Sequence, residues 1–421
     1  MTLPDPLRIL LAEAADESRS AKHYLAGAHR ACDPAETFRR VEPRLAEFGI
    51  TRVADVTGLD NVGIPVVMVH RPNSRSLAVS QGKGATLDAA RASGVMEGIE
   101  LHHAEHIDLP LRYGSRRDIA RVLATVEPHD LPLMAGTAFD DDRPLLWVDA
   151  VDLASGEAVA VPYDVVHTNY AQPMPPDAGC FDASTNGLAS GNTLAEAVCH
   201  GLCEVIERDA VSLWNLSPPD LRAAARIDPA TIDSGLAADL LQRFEAAGIA
   251  AALWDVTGDV GVASFACGTW EHDAVEANPT LGTGTHPCRA VAAVRAITEA
   301  AQIRLTYISG ARDDLSDAAY ADSGRRARMR YLRALLGDAD TPLADFRDVP
   351  DYRSDSAAAD LRWVRGRLAA VGLDRVLAVN LSKPAHGIAI ARVVVPGLEG
   401  IDSHAEYVPG RRARALLGDD G

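Results

Sequence analysis

Six cysteines in 421 residues, at positions 32, 180, 199, 203, 267 and 288, are too few and too scattered for a disulfide framework. There is no C-x-x-C pair, and Cys199 and Cys203 lie four apart with no second pair at zinc-finger spacing. They are read as buried structural thiols. An activated thiol nucleophile at Cys199 or Cys203 would need a basic environment, and only the adjacent His200 offers one. Aromatic residues make up 5%, so alanine and valine must do much of the packing. No apolar run reaches the roughly 18 residues of a membrane span. The N-terminus lacks a basic segment before its short apolar run, which argues against a signal peptide and for a soluble, cytoplasmic protein with no membrane association. Positive charge is also short. The net charge of −18 excludes general nucleic-acid binding, which needs clustered Lys and Arg. A Walker A loop is missing too, since GKG (82–84) has neither the upstream glycine nor the hydroxyl residue after lysine.

What is present is an alternation of helical and strand-like stretches. Residues 5–50 read as helical with Gly49 as a C-cap, and 51–80 as short strands separated by Gly, Pro and Asn turns. Helices are expected over about 85–107, 193–215 and 289–309, with a further helical region at 220–250. AALWDVTG, VASFACGT, LLWVDAVDL, AVAVPY, VLAVNLSK and GIAIARVVVPGLEG read as strands, and 338–357 as a loop or insertion. The fold class is α/β, mixed α+β, in one intertwined domain. We divide it into a helical extension (1–35), a catalytic domain (36–400) and a C-terminal tail (401–421) whose last dozen residues are expected to fray.

The chemistry is carried by an internal repeat. GATLDAARASGVMEGIE (84–100) and GNTLAEAVCHGLCEVIE (191–207) share eight of seventeen positions without gaps. A weaker third copy, HPCRAVAAVRAITEAAQ (286–302), puts Glu299 and Gln302 at the Glu-x-x-Glu positions. Each copy reads as a glycine-rich loop opening a helix that ends in a polar pair on one face. Like charges there need cations, and Mg²⁺ is the hard, oxygen-seeking ion that substrate phosphates complete. Glu97, Glu100, Glu204 and Glu207 are therefore the candidate metal ligands, converging from separate helices around a central nucleotide site. Arg208, Arg304 and Arg312 follow as candidate phosphate partners. The glycines at 82–84 and 191 are expected to let backbone N–H groups approach phosphate. A single Glu-x-x-Glu pair is ordinarily a solvated face; three copies ending alike argue otherwise.

At these residues the chain resembles the YcaO family. The resemblance is carried by SQGKGATLDAARASGVMEGIE (80–100), STNGLASGNTLAEAVCHGLCEVIERDA (184–210), residues 282–314 and PGLE (396–399), and spans about 36–400. It implies ATP and Mg²⁺ as cofactors, and a peptide or protein substrate whose backbone amide oxygen is phosphorylated after a nucleophile adds to the carbonyl. The product is then an azoline, a thioamide or an amidine. It also implies roles for individual residues. Glu97, Glu100, Glu204 and Glu207 become metal or nucleotide ligands, and Lys83, Asn192, Glu196, Arg208, Gln302 and Arg312 nucleotide contacts, with Arg208 and Arg312 the catalytic cations. Segment 49–76 is similar to the stand-alone or TfuA-associated, thioamide-forming branch, which implies a TfuA-like partner; a homodimer is the family's expected state. The proline-rich tail usual in the azoline-forming branch is not matched by LLGDDG, though azoline and amidine products stay open.

Rival readings remain. His102-His103-Ala104-Glu105-His106 fits H-x-x-E-H, the inverted zinc-peptidase pattern, but is read as a polar helix end on the solvent side. A non-catalytic leader-peptide scaffold is the other alternative, which the full set of acidic and arginine positions disfavours.

Overall fold

The computed structural model describes residues 3–137, 139–174, 178–271, 278–312, 314, 315, 317–401 and 407–418. Helices and strands are mixed throughout, as the α/β reading expects. The chain forms two compact units, each assembled from separate stretches: Met1–His23 with Glu100–Leu216 and Ser354–Gly421, and Tyr24–Ile99 with Ser217–Arg353.

Three strand–helix pairs correspond to the three repeat copies. The repeat strands are Val79–Lys83, Leu188–Gly191 and Thr280–Thr285, and the repeat helices are Leu87–Glu105, Leu194–Leu216 and Arg289–Ser309. The glycine stretches read as loops are thus largely strands, and their role is steric. A Cβ on Gly82 would lie 2.0 Å from the Ala90 carbonyl oxygen, and one on Gly282 would lie 2.2 Å from the Ala300 nitrogen. Only a residue without a side chain lets the strand lie this close to its own helix. The Gly82 backbone is engaged in the ladder opposite Val67, so phosphate approach is not what this glycine provides. The shared Thr-Leu dipeptide also gains a reason. Thr86 and Thr193 hydroxyls accept the N–H groups of Ala89 and Glu196, both at 3.2 Å, as helix N-caps. In the weaker third copy Cys288 holds the cap position and makes no side-chain cap bond.

The unit containing 24–99 and 217–353 has two antiparallel three-stranded sheets. One is Arg52–Asp55, Val66–His70 and the first repeat strand; the other is Ile249–Asp255, Ser264–Glu271 and the third repeat strand. Its core includes Phe244, Phe265, Ile297 and Phe346. Helix Gly235–Ala246, started by the Ser234 side chain accepting from Ala237, supplies Phe244.

The other unit is built on a seven-stranded sheet. Its order runs Ala124–Thr125, Ala158–Pro162, Pro144–Asp152, Leu377–Asn380, Ala389–Val394 and the second repeat strand, with Leu111–Ser115 also pairing on Pro144–Asp152. The last three strands bring sequence-distant segments into one antiparallel ladder: Ala378 pairs with Val393, and Arg392 pairs with Leu188.

Helices Asp322–Leu336 and Ala357–Ala370 were not foreseen; the first has an arginine-rich surface that hides its apolar spacing. Residues 402–406 and 419–421 of the expected tail lie outside the described residues. Within the described part, Arg411–Leu417 is a docked helix rather than a frayed end. Arg412 donates to both Asp209 oxygens at 2.9 and 3.0 Å, and Glu399 accepts the Ala413 and Gly410 N–H groups.

Candidate functional site

The second repeat strand and its approach hold two of the candidate metal ligands by their carboxylates. Glu100 Oε1 accepts the Ser190 N–H at 2.7 Å and its hydroxyl at 2.6 Å, while Glu204 Oε1 accepts the Gly187 N–H at 3.2 Å. These anchor points are three residues apart, roughly 10 Å along an extended chain. Glu207, one helical turn beyond Glu204, is 3% exposed. Glu97 precedes Glu100 by one turn on the first repeat helix and is half-buried, in the stretch assigned to the other unit. Carboxylate oxygens at i and i+3 are the donor type that suits Mg²⁺.

In the unit of 24–99 and 217–353, the first repeat strand meets the third repeat helix. Lys83 Nζ lies 2.6 Å from Glu299 Oε2, and Glu299 also accepts from Thr283. Gln302 donates to Gln81 Oε1 at 3.3 Å, and the Thr306 hydroxyl donates to the same oxygen at 2.7 Å. On this glutamine pair, Gln81 Nε2 and Gln302 Oε1 are buried with no hydrogen-bond partner among the described residues. One donor and one acceptor left over in a buried place fit a polar ligand such as a nucleotide. Sequence reasoning reached Gln302 and Lys83 but gave no role to Gln81; its position two residues before Lys83 was the available signal.

Asn192 and Glu196 are joined to each other. Glu196 Oε2 accepts the Asn192 N–H at 2.8 Å and its side-chain amide at 3.1 Å, which closes the first turn of the second repeat helix. Arg208 is half-buried beside Glu207 and Asp209. Burial pushes the Asp209 carboxyl up to about 6, against the opposing pull of Arg412. Arg312 is paired locally with Asp314. Arg304 is bound to Asp60 at 3.0 Å and to Glu271.

The histidine run also differs from its reading. His103 and Glu105 are buried, not on a solvent face. His103 Nε2 is 2.9 Å from His386 Nδ1. Potential ligand atoms of His102, Glu105 and His106 lie within 4.8 Å of one another, the one such group among the described residues. Yet His106 Nδ1 is 2.9 Å from the His102 carbonyl, which can only accept, so that nitrogen carries a hydrogen and caps the helix end.

Cys199, Cys203 and Cys267 are buried free thiols, as read. Cys199 is pushed up by its hydrogen bond to Cys203 and by burial, and Cys267 by burial alone, which opposes a thiolate role.

Sequence reasoning missed Arg392. It stands in an apolar strand, is 2% exposed, and donates from Nη2 to the Ser184 carbonyl at 2.8 Å. A charged residue inside the run AIARVVV was the legible sign. Burial holds its guanidinium down at about 10, with Tyr170, Glu204 and Asp182 acting in the opposite direction.

Residues 81–399 match a protein family described as YcaO cyclodehydratase, ATP- and Mg²⁺-binding. A protein in the tfuA 3′ region of Rhizobium leguminosarum bv. trifolii is 37% identical over 403 residues, covering 94% of each chain. Among solved structures, the fold is similar to a heterocyclase in complex with substrate and cofactor, with TM-score 0.80 and 22% identity, covering 98% of this chain. This chain spans 58% of that heterocyclase's length. A YcaO protein from Methanopyrus kandleri bound with AMPPCP and Mg²⁺ gives TM-score 0.72 and 24% identity, covering 93% of this chain and 99% of that one. Among the described residues no helix is long and apolar enough to cross a membrane.

Proposed function

Because this chain belongs to the YcaO family, with ATP and Mg²⁺ as its cofactors, we propose that it converts a backbone amide of a peptide or protein into a thioamide. A sulfur nucleophile adds to the carbonyl carbon, and the resulting oxyanion takes the terminal phosphoryl group of ATP, releasing ADP. Phosphate then leaves with the oxygen, a proton leaves sulfur, and the carbon–sulfur double bond forms. The nucleotide supplies the phosphoryl group and Mg²⁺ neutralises charge in its transfer.

The residues have distinct tasks. Glu97 with Glu100 on one helix, and Glu204 with Glu207 on another, hold Mg²⁺. Ser190 and Gly187 orient two of these carboxylates. Lys83, Asn192, Glu196 and Gln302 contact the nucleotide, while Arg208 and Arg312 stabilise the transferred phosphoryl charge. The observation that carries this reading is the grip of Ser190 on Glu100 together with that of Gly187 on Glu204. Because a backbone fixes them, these carboxylates are oriented before any ion arrives. The sulfur-transfer reading is favoured by the relative in the tfuA 3′ region, and a TfuA-like partner and a homodimeric state accompany it.

A second reading, azoline or amidine formation, is favoured by the family description as cyclodehydratase. Mass spectrometry of a treated peptide separates the two. Replacement of oxygen by sulfur is expected; loss of one water with no sulfur gained would make cyclodehydration the activity. No Mg²⁺-dependent ATP binding at all would overturn both.

A further inference from the structure

The segment around His167 and strand Ala389–Val394 hold buried hydrogen-bond donors without acceptors. Arg392 Nε and Nη1, His167 Nε2 and Thr168 Oγ1 have no hydrogen-bond partner among the described residues, and His167 and Thr168 are both 0% exposed. The tautomer of His167 follows from its neighbour. Its Nδ1 accepts the Asn169 N–H at 3.0 Å, so the ring hydrogen sits on Nε2. Asp164 Oδ1, at 3.9 Å from that nitrogen, is too far to accept it. Burial, and then Arg392, hold His167 down at about 4, so the ring is neutral near pH 7. Arg392 acts electrostatically on both His167 and Tyr170, which places the three in one neighbourhood. Along the strand, Val393 packs on Gly201 of the second repeat helix; alternation turns Arg392 to the other face.

A buried donor left unmet is destabilising, and a cationic one more so. A fold that retains several together has a use for them. We propose that Arg392, His167 and Thr168 form a binding site for a small oxyanion of the phosphate class. The ring N–H and the guanidinium only donate, and a phosphate oxygen only accepts. Glu204 and Asp182 lie in the same electrostatic neighbourhood, which favours a singly charged oxyanion over a doubly charged one. The oxyanion is either free inorganic phosphate or the terminal phosphate of a nucleotide. Where a nucleotide supplies the oxyanion the site rests on the proposed function, and where free phosphate supplies it the site does not; titration with phosphate alone keeps the two failures apart.

The test is calorimetric titration of the full chain with inorganic phosphate near pH 6, where the monoanion is abundant. The wild type is expected to bind, and Arg392→Met to bind at least about tenfold more weakly, from loss of a charge-assisted hydrogen bond. Arg392→Met is also expected to melt no lower than wild type, a result that a purely structural arginine would not give. Should that variant fail to fold, His167→Phe decides, with phosphate binding again weakened. Competition by AMPPCP assigns the site to the nucleotide's phosphate; its absence assigns it to free phosphate. No phosphate binding by wild type, or equal binding by wild type and the folded variants, overturns the proposal.

Discussion

The Glu100 carboxylate and Ser190 are joined twice, through the serine N–H at 2.7 Å and its hydroxyl at 2.6 Å, although 90 residues separate them in sequence. Ser190→Ala removes one bond and keeps the other. We expect about 1 kcal/mol of stability to be lost and Mg²⁺-dependent ATP binding to weaken several-fold. A calorimetric titration beside a thermal melt checks it, and unchanged ATP binding would argue that Glu100 is only a structural anchor.

Glu204→Gln and Glu207→Gln are expected to abolish turnover while leaving the fold near wild-type stability. Each removes a carboxylate charge from a partly or fully buried place together with its metal role. ATP-dependent product formation, followed by mass spectrometry, is the readout. Wild-type rates in both variants would refute the assignment of Mg²⁺ ligands.

Gly82→Ala places a methyl group 2.0 Å from a backbone oxygen and 2.2 Å from the Gly94 nitrogen. The strand must then move off its helix, and a loss well above the usual 0.5–3 kcal/mol range of about-average substitutions is expected. Gly366→Ala is the contrasting control. Its added Cβ meets nothing within 4 Å, in the interior of helix Ala357–Ala370. A gain of about 0.5–1 kcal/mol is expected there. Equal melting temperatures for the two variants would contradict the packing account.

Asp209 gives a pH dependence whose sign can be worked out. Its folded carboxyl is raised from 3.8 to about 6, so the folded state binds the proton more tightly than the unfolded chain. Its contribution to stability is complete below about pH 4 and is lost as pH rises through about 6. Melting temperatures measured between these values should fall less steeply with rising pH in Asp209→Asn than in wild type. Parallel curves would show that another group governs the interval.

Lys22 and Asp360 form an ion pair with both side chains 2% exposed. Lys22→Met leaves the Asp360 charge buried and is expected to cost about 3–5 kcal/mol. Lys22→Met combined with Asp360→Leu should recover much of that loss. A double variant no more stable than Lys22→Met would show that the charge is not the source of the cost.

The sequence made the repeat visible because its determinants are local. Thr86 and Thr193 cap their helices, and Glu100 and Glu207 close the same pattern at the far end. The three repeat helices therefore lie within about two residues of where periodicity puts them. What escaped was set by long-range contact. The glycines read as flexible loop residues because their requirement, a helix lying across the strand, exists only after folding. Helix Arg411–Leu417 reads as a loose end in the sequence because its docking partners, Asp209 and Glu399, are distant in sequence or look unremarkable. Gln81 and Arg392 show the same limit, since a polar residue in a strand announces itself but not its partner.

The polypeptide changes unit four times, after His23, Ile99, Leu216 and Arg353. Neither half can consequently be expressed as one uninterrupted fragment. Truncation from either end removes strands or helices from the unit of 1–23, 100–216 and 354–421 first. Isolating the other half would require a newly engineered join between the stretches ending at Ile99 and beginning at Ser217, making the chain's route a practical constraint on any dissection of this enzyme.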